Sequence, residues 1–422
     1  MLKAQNKTSR WRNIHMSETG FNIVVGQSGG PTTVINSSLY GVVKEAQKTP
    51  EIKKIYGMIN GIQGFVEDRL MDIEEELGDE IELLKNTPAA YLGSCRYKLP
   101  ENLEDEIYDV IFNKFKKYDI KCFIYIGGND SMDTVSKLSK YAEGINSDVK
   151  IIGVPKTIDN DLVLTDHSPG FGSAAKYVAT TVRDIVMDAN VYDTHSVTIV
   201  ELMGRHAGWI TAASVLARKY EGDNPVLIYL PEVAFDENTF IENVKKQLDK
   251  VSNVIVCVSE GIKDKDGRFI CEYSGDAGTD TFGHKMLTGC GKYLENVVKD
   301  KLSVKCRSVE LNVNQRCKAV LASKTDVDEA IMAGAYGVKA FMNGETGKMI
   351  AFVRNESEGY RITCETVDCS LVCNQEKVVP REWISDDGTD ILEGFIKYAK
   401  PLIQGESRPE MKDGLPVYCY RK

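Results

Sequence analysis

What most constrains this chain is a recurring pattern. Short, near-continuous apolar runs rich in Val and Ile are separated by stretches whose apolar residues fall at helical spacing. The clearest runs are Phe21–Gly26, Cys122–Ile126, Val149–Val154, Val197–Glu201, Val226–Leu230, Val254–Ser259 and Met349–Val353. A half-exposed strand would alternate apolar with polar residues, so unbroken runs of this length predict strands buried on both faces. Between them, Glu104–Tyr118 and Asn238–Val251 carry the periodicity of amphipathic helices. Alternating strand and helix predicts an α/β protein with parallel sheets. At 422 residues the chain is long enough for more than one lobe.

Composition closes off other classes. The chain is 42% hydrophobic and 27% charged, enough apolar material for sizeable cores and unlike disordered or collagen-like sequences. Lys and Arg total 52 against 62 Asp and Glu, a formal net charge of −10. That balance argues against non-specific nucleic-acid binding, which needs a basic footprint, but not against small phosphorylated ligands. No apolar run approaches the ~18 residues of a membrane span. Residues 1–20 read as a flexible N-terminal extension: Met1–His15 is basic and polar, with none of the apolar core of a secretory signal. An over-extended start with Met16 as initiator is the other reading, and a transit peptide the weaker one. The 11 cysteines include no CxxC pair, and Cys122 and Cys257 lie inside apolar runs, which predicts buried thiols in a reducing cytoplasm. Neither the five histidines nor the cysteines show zinc-ligand spacing.

In open parallel sheets, ligands bind beyond the carboxyl ends of the strands. The segments there are Gln27-Ser28-Gly29-Gly30-Pro31, Gly127-Gly128-Asn129-Asp130-Ser131, Pro155-Lys156-Thr157-Ile158-Asp159-Asn160-Asp161, Leu202-Met203-Gly204-Arg205-His206 and Glu260-Gly261. Gly-Gly pairs let backbone N–H groups approach phosphate oxygens; the bland alternative is a tight turn. Asp130, Asp159 and Asp161 can hold Mg²⁺ or take a proton from a hydroxyl, against helix N-capping, most readily at Asp161. Lys156 and Arg205 supply cations for a phosphoryl group, against solvated surface charges. Together the set points to phosphoryl transfer, where positioning and charge neutralisation supply most of the catalysis. Gly170-Phe171-Gly172-Ser173-Ala174-Ala175 fits the dinucleotide fingerprint GxGxxA, but Thr165–Pro169 before it is no strand, so a nicotinamide site is not expected. A Walker A loop is absent.

In this order, these segments resemble the phosphofructokinase family, and specifically its long, clostridial-type pyrophosphate-dependent branch. The likeness runs from about Phe21 to the C-terminal region and rests on Gly127–Ser131, Pro155–Asp161 and Met203–Arg205 in combination. It implies two Rossmann-like parallel-sheet lobes with the active site in the cleft between them. The implied division gives residues 21–170 plus 315–385 to the phosphoryl donor and 171–314 plus 386–422 to the sugar phosphate. The implied reaction is reversible, Mg²⁺-dependent phosphoryl transfer from pyrophosphate to the 1-hydroxyl of fructose 6-phosphate. By resemblance Asp159 is the general base, with Lys156 and Asp130 completing the catalytic set. Thr157, Ile158, Asp159, Met203, Gly204, Arg205 and Glu260 would contact the sugar. Val313, Asn314, Gln315 and Arg316 would hold its 6-phosphate end with Arg307, while Gly29 and Arg96 face the diphosphate. A cytoplasmic homodimer or homotetramer is implied, with no nucleic-acid or membrane partner.

The donor turns on two positions. ATP-using relatives typically carry Gly at the sites of Asp130 and Lys156. A carboxylate at Asp130 would repel a nucleotide's α-phosphate, a like-charge contact costing up to about several kcal/mol. A lysine at 156 can neutralise a pyrophosphate that lacks the nucleotide's other contacts. Three departures from the short ATP-dependent pattern stand out. Asn129 replaces a metal-binding Asp and is the expected, weaker metal ligand. Ser196 and Val313 replace an Arg and a His on the sugar phosphate, which leaves a longer acceptor such as sedoheptulose 7-phosphate open. An ATP-dependent kinase of the same fold, a silent phosphosugar-binding subunit, and a lipid or NAD kinase are the competing readings.

Overall fold

The computed structural model describes residues 20–274, 289–357 and 359–421. The extension expected over residues 1–20 lies outside them except for Gly20, as do Met16 and two of the histidines, His15 and His284. In chain order the strands of the two main sheets are β1 (Phe21–Gln27), β2 (Ile52–Met58), β3 (Leu70–Asp72), β4 (Ile120–Gly127), β5 (Lys150–Pro155), β6 (Ser196–Leu202), β7 (Leu227–Tyr229), β8 (Asn253–Ser259), β9 (Lys305–Glu310), β10 (Lys348–Asn355) and β11 (Arg361–Asp368). One sheet is seven-stranded in the order β11-β10-β5-β4-β1-β2-β3, and the other four-stranded in the order β7-β8-β6-β9. The first is parallel except for its two edge strands, β3 and β11, and the second is parallel throughout.

Every apolar run read from the sequence is a strand, and the burial explains why. Successive side chains of a strand point to opposite faces. In the first sheet Ile23, Val25, Ile124 and Ile126 enter one core, while Val24, Phe123 and Tyr125 enter another on the reverse face. Each face is covered by helices. Ile35–Ala46 and Lys324–Met342 lie on one side, and Glu106–Lys117 and Asn129–Gly144 on the other. The second sheet repeats the scheme, with Val200, Leu202, Ile255 and Cys257 against helix Phe171–Ala189, and Val197, Ile199, Val254 and Val256 against Glu237–Leu248 and Cys290–Leu302. Each such side chain contributes roughly 1.5–3 kcal/mol on burial. Helices Ile35–Ala46 and Lys324–Met342 touch backbone to backbone. A Cβ on Gly41 would sit 2.1 Å from the Ile331 carbonyl oxygen, and one on Gly334 would sit 2.0 Å from that of Ser38.

Strands β2, β3, β9 and β11 carry no apolar run in the sequence. They lie at or beside sheet edges, where half-solvated positions break the run. The segment after β5 joins the lobes, with Ile158 in the second lobe's core and Leu162 in the first's. Two parts of the expected division are corrected by the packing. Val379 and Ile384, expected with the first lobe, belong to the second core, and Cys419, expected with the second, packs beside Tyr91 and Leu92 in the first. Crossings of this kind are set by which open core face a passing segment can cover, and leave no periodic mark. All eleven cysteines are unpaired, with Cys122 and Cys257 fully buried. Among the described residues, no helix is long and apolar enough to cross a membrane.

Candidate active site

The carboxyl ends of β1, β4 and β5 stand side by side through the pairs Gln27 with Ile126 and Gly127 with Pro155. Beyond β1 the chain turns at Gly29, with φ +75°, and the Gly30 carbonyl accepts a hydrogen bond from Lys156 Nζ at 2.7 Å. A Cβ on Gly29 would lie 3.2 Å from Lys156 Nζ, and one on Gly30 would lie 3.2 Å from Arg316 Nη1. The Gly-Gly turn is therefore what lets two cations close on this backbone. Ser94 Oγ donates to the Gly29 carbonyl at 2.6 Å, which brings the loop carrying Arg96, itself exposed, alongside. Lys156 is no solvated surface charge. It is 3% exposed, and burial lowers its pKa to about 8 against the opposing pull of Asp159 and Asp161.

Asp159 follows on the same segment. Burial raises its pKa above the usual carboxylate range, with Lys156 and the Thr157 hydroxyl pulling the other way. Its backbone N–H donates to Thr157 Oγ1 at 3.1 Å, which ties it to the end of β5. Asn160 turns the chain through the left-handed region (φ 54°) and so separates Asp159 from Asp161. Asp161 caps no helix. Burial, then the charge of Asp159, pushes its pKa up to about 7, and its Oδ1 is buried with no hydrogen-bond partner among the described residues.

On the same wall, helix Asn129–Gly144 begins just after β4, with Asp130 in its first turn, exposed and 3.4 Å from Lys98 Nζ. Asn129 has a second tie. Its Oδ1 accepts the Asn374 N–H at 2.7 Å and its Nδ2 donates to the Gln375 carbonyl at 2.6 Å. The residue expected at the metal thereby also fastens a loop far along the chain. That loop carries Glu376, paired with His206 Nδ1 at 2.9 Å, so the cleft between Asp130 and Arg205 is lined by Asn129, Asp159, Asp161, His206 and residues 374–376, with a volume of about 630 Å³.

The second lobe supplies the opposite wall from the ends of β6, β8 and β9, aligned through the pairs Leu202 with Ser259 and Glu201 with Glu310. The Met203 N–H donates to Gln315 Oε1 at 3.2 Å and the Gly204 N–H to Glu260 Oε1 at 3.4 Å, so the 203–205 turn is tied to both predicted neighbours. Burial raises the Glu260 pKa to about 7. Of the four residues expected on the 6-phosphate, Arg316 reaches the Gly30 turn and Gln315 is buried, whereas Val313 and Asn314 face solvent. Arg307 is not brought to the cleft. It pairs in register with Thr198, toward the amino end of β6, and lies 3.8 Å from Asp188 on the outer face.

His206 lies in a strand-end segment, but nothing in the sequence points to Glu376 as a cleft residue, because loop 374–376 reaches the site only through tertiary packing. Glu201 ends a predicted strand and could have been flagged. It is buried, its Oε2 accepts the Gly291 N–H at 2.6 Å, and burial raises its pKa to about 7. The GxGxxA segment does open a helix, but its free N–H groups are taken by the chain itself. Asp326 Oδ1 accepts from Gly170 and Oδ2 from Ser173, both at 2.9 Å, so a carboxylate occupies the place a dinucleotide's phosphates would need.

The site residues thus converge from strand ends of both sheets, and comparison with known proteins agrees with that architecture. The family model for phosphofructokinase matches residues 22–342. The chain is 41% identical over 399 residues to the pyrophosphate--fructose 6-phosphate 1-phosphotransferase of Halomonas elongata, covering 94% of each chain. It is 32% identical to the sulfofructose kinase of Alkalicoccus urumqiensis, covering 89% of this chain and 95% of that one. Among solved structures, the pyrophosphate-dependent phosphofructokinase of Marinobacter aquaeolei superposes with a TM-score of 0.85 at 37% identity, covering 94% of this chain and 95% of that one. The chain belongs to the phosphofructokinase family.

Proposed function

We propose that the chain transfers a phosphoryl group reversibly from pyrophosphate to the 1-hydroxyl of fructose 6-phosphate, giving fructose 1,6-bisphosphate and phosphate. The observation that carries this reading is the buried Lys156 on the Gly30 carbonyl, with the Asp130 carboxylate just beyond the end of the neighbouring strand β4. The names carried by full-length relatives support it. As the sugar hydroxyl attacks the terminal phosphorus, its proton passes to Asp159, the bond to the bridging oxygen breaks, and phosphate leaves. Lys156 offsets the charge on the diphosphate, and Arg316 holds the 6-phosphate end of the sugar. Thr157, Ile158, Met203, Gly204, Arg205 and Glu260 orient the sugar, and Gly29 and Arg96 face the donor. Among the described residues no three carboxylates, histidines or cysteines gather to hold a metal, so Mg²⁺ would be held by Asn129 and Asp130 together with water. When bound, the ion neutralises diphosphate charge. Arg307 serves the acceptor only if a second copy of the chain brings it there. The homodimer or homotetramer implied by the family resemblance, acting in the cytoplasm, supplies that copy.

The test is to mix the protein with fructose 6-phosphate and Mg²⁺ and compare the two donors. Fructose 1,6-bisphosphate is expected with pyrophosphate and not with ATP. Asp130→Gly combined with Lys156→Gly is expected to gain ATP use. Turnover by the wild type with ATP alone would overturn the donor assignment and leave the acceptor assignment standing.

A further inference from the structure

We propose that Asn160 and Tyr398 form a clasp by which the second lobe's C-terminal helix holds the Asp159–Asp161 loop in its reactive shape. Both are positioning residues. The inference rests on the assignment of Asp159 as general base. Asn160 is fully buried and adopts φ 54° between the two carboxylates, a left-handed conformation that asparagine takes more readily than other non-glycine residues. Both ends of its carboxamide are held. Oδ1 accepts the Ser168 N–H at 3.0 Å, and Nδ2 donates to the Tyr398 hydroxyl at 2.8 Å. That hydroxyl in turn donates to the Asp166 carbonyl at 2.8 Å, so a single oxygen joins the catalytic loop, the following turn and helix Glu393–Ala399.

The block behind the clasp is rigid. Arg354 lies 4.7 Å from the centre of the Tyr398 ring, and the rings of Trp209 and Trp383 are each 5.3 Å away. The Asp166 carboxylate is held by Arg354 and by His167 Nδ1, both at 2.8 Å, and His167 Nε2 reaches Glu329 at 2.7 Å. The far side of the loop is tied to the same block. Lys377 donates its backbone N–H to the Asp161 carbonyl at 2.7 Å and its Nζ to the Thr165 and Asp166 carbonyls at 3.1 and 2.9 Å. Two carboxylates flanking one buried residue repel each other, and this ring of hydrogen bonds is what opposes their separation.

Tyr398→Phe removes one oxygen and leaves the ring packing; Asn160→Gly keeps the backbone angle and removes the carboxamide. Each variant is expected to lower kcat by about 10- to 100-fold, the scale of a sub-ångström to one-ångström misplacement of a reacting group, with KM for both substrates within about threefold. The double variant is expected to lose less than the product of the two single losses, because both substitutions remove the same bond between Nδ2 and the Tyr398 hydroxyl. Unchanged kcat in Tyr398→Phe, losses that multiply in the double variant, or an effect confined to KM would overturn the clasp. A readout free of the assay is amide hydrogen exchange. The peptide spanning residues 156–168 should exchange faster in Tyr398→Phe, and unaltered exchange there overturns the proposal. Failure of the wild type to turn over pyrophosphate and fructose 6-phosphate counts instead against the assigned reaction, and the exchange result then decides the clasp alone.

Discussion

At the scale of single residues, the site holds groups whose charge states are moved toward neutrality by burial. The carboxyls of Asp159, Asp161 and Glu260 are raised, the last two to about 7, while Lys156 is lowered to about 8. On the proposed reaction, Asp159 must be ionised to accept a proton and Lys156 protonated to neutralise the donor. The kcat/KM profile should therefore rise as the carboxyls ionise and fall as Lys156 loses its proton near pH 8; a profile flat from about pH 6 to 9 would contradict these roles. Asp161 makes a second prediction, on stability. Its folded pKa lies above its ordinary 3.8, so the folded chain binds the proton more tightly and loses stability as pH rises from about 4 to about 7. Asp161→Asn should remove that loss. Its unfolding midpoint should match wild type at pH 4, exceed it increasingly up to pH 7, and keep a constant lead above that. Denaturant titrations across this range measure it. Lys156 and Asp159 were legible as strand-end residues, but their burial was not, because it depends on the second lobe and on Arg316 arriving from elsewhere in the chain.

At the scale of elements, the GxGxxA segment shows how one local pattern can serve two ends. A glycine-rich turn opening helix Phe171–Ala189 offers N–H groups to any anion, and here the anion is Asp326, from the first turn of helix Lys324–Met342. Asp326→Ala should cost about 2 kcal/mol or more, since buried N–H groups left unsatisfied cost about 1–3 kcal/mol each. Asp326→Asn, which keeps one acceptor oxygen, should cost less. Equilibrium unfolding of the two variants checks the order, and equal losses would mean the carboxylate is not acting as the cap. The strands that were readable are those buried on both faces, whereas β2, β3, β9 and β11 were not, since edge positions let polar residues in.

At the scale of the whole molecule, Arg307 is the residue whose role depends on assembly. It lies half-exposed beside Asp188, whose chain neighbours Met187, Val191 and Tyr192 are exposed apolar residues. If a second copy carries it to the acceptor, light scattering should give a multiple of the 46.9 kDa chain mass. Arg307→Ala should then raise KM for fructose 6-phosphate by about tenfold, the scale of one lost charge-assisted hydrogen bond, with kcat retained. A monomer with unaltered KM would remove Arg307 from the acceptor site.

The sequence by itself determined the α/β class with parallel sheets, the positions of the main strand ends, and that Asp130, Lys156, Asp159, Arg205 and Glu260 stand just beyond them. Each of these is encoded locally, in an unbroken apolar run and the few residues after it. Only the tertiary structure decided that Asn129 fastens loop 374–376, that Arg307 faces away from the cleft, and that Tyr398 reaches Asn160. Those contacts join residues as many as 246 apart, and no periodicity or spacing records them. They depend on which segments remain free to cover each face once two separate cores have closed.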